Sequence, residues 1–229
     1  MLKRIYHGSD HVVEAPQFGA GKPYNDYGLG FYCTESLDMA KEWGARRNRD
    51  GFANAYDIEL EGLDVLDVQG DGRCILHWLA VLLQNRTFDV SYGLAQEARE
   101  YLLNTFAFDY GSCDVMVGYR ADDSYFSFAQ DFINGAISLR QLDCAMHLGK
   151  LGKQVVLKSE RAFSALSFTG FERAACVEWY AKRMQRDHAA RERYFSRERM
   201  ARQPGDLFIT QLLDEGMTAD DPRLLQDLS

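Results

Sequence analysis

The sequence predicts an α+β fold, and three observations carry that reading. Short stretches of alternating apolar and polar residues, such as Ala55–Leu60 and Leu63–Val68 around Gly62, read as strands with one buried face. Two apolar stretches interrupt them as helices: Cys74–Leu83, and Ala95–Phe106 with Ala98, Tyr101, Leu102 and Phe106 at helical spacing. No Gly-x-Gly-x-x-Gly leads from strand into helix and no Gly-x-x-x-x-Gly-Lys-[Ser/Thr] occurs, so neither a doubly wound dinucleotide site nor a P-loop is expected.

In chain order, Lys3–His7 and Gly30–Thr34 read as strands, and Pro16–Gly28, with Gly19, Gly21, Pro23, Asn25 and Asp26, as a loop that roofs a cleft. Glu35–Asp38 then opens a helix carrying Met39, Ala40 and Trp43, with Ser36 or Thr34 as its N-cap. His77 and Trp78, in the first apolar helix, are assigned to the core. Cys113–Gly118 returns to strand, and Tyr119–Phe126 runs into a helix whose first turn Asp122 or Asp123 can cap. Lys153–Lys158 forms a late strand, and the chain after about residue 170 is helical.

With 229 residues and 46% hydrophobic content, the chain can bury one sizeable core. No apolar run approaches the roughly 18 residues of a membrane span, and the start Met1–His7 lacks the apolar stretch of a signal peptide, so a cytoplasmic protein without a membrane partner is expected. The five cysteines are irregularly spaced and predict neither a disulfide framework nor a metal site. Cys33 should point away from its neighbour Tyr32. Net charge is −8, yet between Lys182 and Arg202 eight basic residues face only Asp187, Glu192 and Glu198. That stretch reads as a solvated helix with i,i+4 pairs such as Asp187–Arg191, or else as a surface for nucleic acid or a partner.

The chemistry lies in short strings. His7-Gly8-Ser9 closes the first strand, Gly28-Leu29-Gly30-Phe31-Tyr32-Cys33-Thr34 follows, and Trp43 sits on the next helix. Together they resemble the NAD-binding signature of ADP-ribosyltransferases, in the diphtheria-toxin-like and poly-ADP-ribose-polymerase-like branch marked by His, Tyr and Glu. The resemblance implies that Tyr32 and Trp43 sandwich nicotinamide, that His7 hydrogen-bonds a ribose hydroxyl, and that Gly8 brings its backbone to the carboxamide. It places Ser9, Asn25 and Asp123 among the NAD contacts. It also implies a split β-sandwich of two packed antiparallel sheets over residues 1–170, with a helical insertion near 72–106 and a helical C-terminal appendage over 171–229.

A second set of strings, Gly118-x-x-Ala121-Asp122-Asp123-x-x-Phe126, Ile137-Ser138 and Gln154-Val155-x-x-Lys158-Ser159-Glu160-x-Ala162, is similar to an uncharacterised bacterial, toxin-like family of that superfamily, over roughly residues 3–168. The branch places its glutamate at the start of the late strand, where this chain has Gln154. An amide can hydrogen-bond a ribose but offers no charge to an oxocarbenium-like sugar. Glu160 lies six residues further, about 20 Å along an extended strand, too far for the same ribose. Adjacent Asp122 and Asp123 do not face one another on a helix and make no shared-proton dyad.

The resemblance therefore implies a mono-ADP-ribosyltransferase that takes NAD as substrate, with His7, Tyr32 and Gln154 as its catalytic set. The acceptor is a macromolecule, protein or nucleic acid. A bacterial toxin or phage-defence role, with an antitoxin or immunity partner, goes with it. The alternatives are a catalytically silent NAD or ADP-ribose binding module, in which Gln154 marks lost chemistry, and a nucleic-acid-binding regulator.

Overall fold

The computed structural model describes residues 1–224 except 71, 92 and 122. In chain order the strands are β1 (Leu2–Ser9), β2 (Phe31–Thr34), β3 (Gly51–Glu59), β4 (Val65–Asp67), β5 (Val115–Gly118), β6 (Gln154–Leu157) and β7 (Leu166–Ala174). The helices are α1 (Leu37–Gly44), α2 (Ile75–Asn85), α3 (Gly93–Phe106), α4 (Asp123–Ile133), α5 (Leu139–Met146), α6 (Glu160–Ser164), α7 (Cys176–Ser196) and α8 (Ile209–Asp214). The fold is α+β. Among the described residues no helix is long and apolar enough to cross a membrane.

The strands form one open mixed sheet, ordered β4-β5-β6-β2-β1-β3-β7, rather than the two separate antiparallel sheets expected from the sequence. The joint is β2, which pairs with β6 along its whole length but meets β1 at one residue pair, Tyr6 opposite Thr34. One sheet is therefore almost parted between β1 and β2. The expected neighbours around Gly62 also separate. Gly62 does turn the chain, at a φ of 79° that favours glycine, but β1 and β7 already occupy both edges of β3. β4 can only pair elsewhere, and it joins β5 in parallel at the far edge.

Strand alternation divides the core into two layers. Ile5, Cys33, Tyr56, Val115, Val155 and Leu157 pack on one face under Ala162 of α6. Met116 and Val156 face the other way, toward the large cluster built by α2, α3, α4, α5 and α8, with Tyr32 and Trp43 at its margin. Cys33 thus points away from Tyr32, as its position predicts. Trp78 is fully buried, while His77 is half-buried at the start of α2, its Nδ1 accepting from the Cys74 backbone N–H at 3.1 Å.

The chain beyond residue 170 is more integrated than an appendage. β7 runs through that boundary to Ala174, paired with β3, and α7 sends Ala190 and Tyr194 into the main cluster, where Tyr194 stacks on Phe128 at 3.9 Å. Most of the basic side chains of α7 and its extension are engaged. Arg191 meets Asp187 at 3.2 Å as the spacing predicts, Arg193 meets Glu198 and Arg199 meets Asp131. Arg186 reaches across to buried Glu42 of α1 at 2.8 Å.

Breaking that last pair strands an arginine in a mostly enclosed site. Glu42→Gln should destabilise the fold by about 3 kcal/mol and lower the melting midpoint by roughly 6–12 °C, measured by thermal unfolding. Lys182→Gln, which removes an exposed pair with Glu178, should change it by about 1 kcal/mol or less.

Candidate functional site

The parting of β1 from β2 builds the site. Continued register would set Gly8 opposite Tyr32, but the strands diverge after Tyr6 and leave the Tyr32 carbonyl without its ladder. The His7 ring takes that place, with Nδ1 2.7 Å from the Tyr32 oxygen and its plane stacked on Phe31 at 4.3 Å. A carbonyl only accepts, so Nδ1 donates and Nε2 of the neutral ring keeps its lone pair. Burial lowers the His7 pKa from its ordinary value, outweighing the Tyr32 bond that would raise it. At neutral pH the ring is an uncharged acceptor.

A cleft of about 660 Å³ opens at this split, within the range of small-molecule sites. His7, Gly8, Ser9, Asn25, Tyr32, Trp43 and Gln154 all line it, brought together from β1, the loop, β2, α1 and β6. The Asp123 side chain and Asp122 lie outside the described residues. Glu160 is exposed at the start of α6 and is not part of the cleft wall.

Each expected residue has a specific local role. A Cβ on Gly8 would collide with the Ala40 carbonyl and come within 2.8 Å of Gly44 N and Trp43 Cβ, so this glycine lets α1 close on β1 and sets Trp43 at the cleft. The Ser9 hydroxyl donates to the His11 carbonyl at 2.6 Å and accepts from Asn54 at 2.9 Å. Asn25 is a turn residue: its amide donates to Lys22 O at 3.2 Å, and its carbonyl accepts the Gly28 N–H at 2.9 Å. The Tyr32 hydroxyl accepts from Tyr27 N–H at 3.0 Å and donates to Gly28 O at 2.7 Å. Burial pushes its pKa well up. That hydroxyl holds the loop rather than transferring protons, and the ring is what Tyr32 offers the cleft.

Two buried polar atoms on the wall have no hydrogen-bond partner, Gln154 Oε1 and Trp43 Nε1. Gln154 is 95% buried, starting β6 between Thr34 and Gly118. Such orphans are rare and mark places where a ligand supplies the missing partner. Trp43 carries the Arg120 guanidinium 3.2 Å from its ring centroid, a flat cation on a π face.

Sequence reasoning missed the parts that hold the roof. Asp26 is buried, accepting from Arg86 at 2.7 Å and from Ala121 N–H at 2.9 Å. Lys158 donates to the carbonyls of Tyr27 and Leu29. Gly28, at φ 72°, turns between them, and Gly30 passes so close to Val156 and Leu157 that no side chain fits. Arg86 and Ala121 are 60 and 95 residues from Asp26, so no local pattern could have linked them. Phe163 of α6 and Arg183 of α7 also reach the wall.

The family described as "Protein of unknown function (DUF3990)" matches residues 3–168, and the chain belongs to it. No curated protein and no solved structure matches the chain.

Two outcomes follow from this geometry. Nitrogen NMR should find His7 in the Nδ1–H form at pH 7, its Nε2 taking a proton only as pH falls below about 6.5. A ligand hydroxyl bonded to Nε2 would be lost through that same window. Tyr32→Phe keeps the ring but leaves Tyr27 N–H and Gly28 O unmatched. It should reduce stability by about 1–3 kcal/mol and speed exchange of the Tyr27 amide.

Proposed function

We propose that this DUF3990 member is a mono-ADP-ribosyltransferase that cleaves NAD and passes ADP-ribose to a macromolecular acceptor. The observation that carries the reading is the buried, unpartnered Oε1 of Gln154 on the wall of a cleft that His7 and Tyr32 also line. The sequence resemblance supplies the reaction class, and the cleft supplies matching chemistry. Gln154 Oε1 and His7 Nε2 both need donors, which ribose hydroxyls provide. Trp43 Nε1 needs an acceptor, and a carboxamide oxygen is one. The Tyr32 and Trp43 rings favour a flat cationic ring such as nicotinamide, worth roughly 0.5–1.5 kcal/mol per stacked pair beyond the area buried. Arg120 already lies on Trp43 as such a cation, and the substrate ring would replace it there.

In the reaction the bond from the ribose anomeric carbon to nicotinamide nitrogen breaks, and nicotinamide leaves neutral with the electron pair. An acceptor nucleophile then bonds that carbon and loses its proton. The split β-sandwich architecture belongs to the same proposal: the near-division of the sheet between β1 and β2 supports it. A toxin-like or phage-defence role in the cytoplasm, with an immunity partner, goes with the resemblance.

One observation favours the second reading, a silent NAD or ADP-ribose binding module. The cleft's described carboxylates are already held by arginines, Asp10 by Arg49 and Asp26 by Arg86. Labelled NAD incubated with whole-cell lysate, followed by separate protease and nuclease digestion, decides between them. Label on macromolecules supports transfer and its digestion pattern names the acceptor class. Tight binding without label or nicotinamide release leaves the module.

His7→Ala and Tyr32→Ala should each lower nicotinamide release by about ten- to a hundredfold while circular dichroism stays native. Gln154→Glu should preserve or raise NAD hydrolysis, since a carboxylate stabilises a developing cation better than an amide, and Gln154→Ala should lower it. Full turnover in either His7→Ala or Tyr32→Ala would overturn the assignment of this cleft.

A further inference from the structure

The cleft is strongly cationic on a chain of net charge −8. Five lysines and arginines line it against two described carboxylates. Most of that positive charge has a local task, since Arg86 meets Asp26 at 2.7 Å and Arg46 stands 3.7 Å from Asp10, which Arg49 approaches more closely. Arg183 has no such task. It makes no ion pair or hydrogen bond among the described residues, yet it lines the cleft from a helix outside the stretch that matches the family.

That helix is fixed firmly to the site. One turn beyond Arg183, Arg186 forks onto buried Glu42, next in sequence to Trp43, with Nε and Nη2 at 2.9 and 2.8 Å. On the preceding turn Trp179 takes Lys41 of α1 over its ring at 4.9 Å. Arg183 therefore stands on a braced element rather than a free surface. α1 ends at Gly44 and Arg46 follows directly, so two arginines from separate elements reach the cleft wall by way of α1. A guanidinium is suited to a phosphate oxygen pair, which it can grip with two parallel N–H donors.

We propose that Arg183, with Arg46, binds the diphosphate of the dinucleotide, so that α7 completes the substrate site that residues 3–168 leave open. This rests on the dinucleotide reading of the cleft. The nicotinamide-ribose end lies with His7, Tyr32, Trp43 and Gln154, and the diphosphate end with the arginines.

Calorimetric titration of the full chain with ADP-ribose, NAD and nicotinamide riboside tests it, the last ligand having no phosphate. Arg183→Gln should weaken ADP-ribose and NAD by about ten- to a hundredfold, leave nicotinamide riboside within about twofold, and flatten the salt dependence of ADP-ribose binding. Arg183→Lys should recover part of the loss, because the charge remains but the fork does not. Unchanged ADP-ribose affinity in Arg183→Gln overturns the proposal while the dinucleotide reading stands. Equal weakening of all three ligands overturns it too, as the sign of a structural role. A wild-type chain that binds none of the three overturns the dinucleotide reading and the proposal with it.

Discussion

The site depends on a hydrogen bond that replaces a strand ladder, from His7 Nδ1 to the Tyr32 carbonyl. Had β1 and β2 stayed paired, backbone groups would satisfy one another along the seam and no cleft would exist there. They part after Tyr6, and the imidazole spans the gap. This single contact limits how far the seam opens, fixes the tautomer, and aims the remaining nitrogen's lone pair. Gly8 then lets α1 approach, Tyr32 ties its hydroxyl to the roof, and Lys158 and Asp26 hold the roof from beneath. Cleft and sheet defect are one feature seen at two scales.

Local strings were legible because each is held by its immediate neighbours. The strands around His7 and Tyr32, the Ser36 cap of α1 and the Asp187–Arg191 pair all form where the sequence places them. Strand partners were not legible. Leu63–Val68 alternates as a strand should, but which edge it joins depends on edges already taken by β1 and β7. β7 escaped notice for a local reason. A register shift opposite Ala55 and Tyr56, with Gly170 at φ 140°, puts Phe168 and Phe171 against Tyr56 and Asn54, two residues apart on one face. The bulge breaks the period of two by which a strand is recognised.

The candidate site divides the same way. The resemblance drew seven residues to one cleft from across the chain, whereas Arg86, Arg120, Lys158 and Arg183 carry no motif of their own. Their significance comes from distance: a guanidinium on Trp43, an ammonium on two loop carbonyls, an arginine braced by a buried pair one turn away. Positively charged residues on a solvated helix look alike in sequence. Only packing separates Arg183, which faces the cleft, from Arg191 and Arg193, which face carboxylates.

The charge around the cleft also bears on how such a site could work without a glutamate at position 154. His7 is neutral, Gln154 is neutral, and Asp10 and Asp26 share their charge with arginines. A developing oxocarbenium would therefore meet dipoles rather than a bare anion, and dipoles stabilise less. The leaving group offsets part of that deficit, since nicotinamide departs from a cationic ring and needs no acid. The remaining need is for a nucleophile close at hand when the bond breaks. Bond cleavage would then be tied to acceptor binding, with slow hydrolysis in its absence, and an anionic dinucleotide gripped at its diphosphate would wait intact in a cleft lined with arginines.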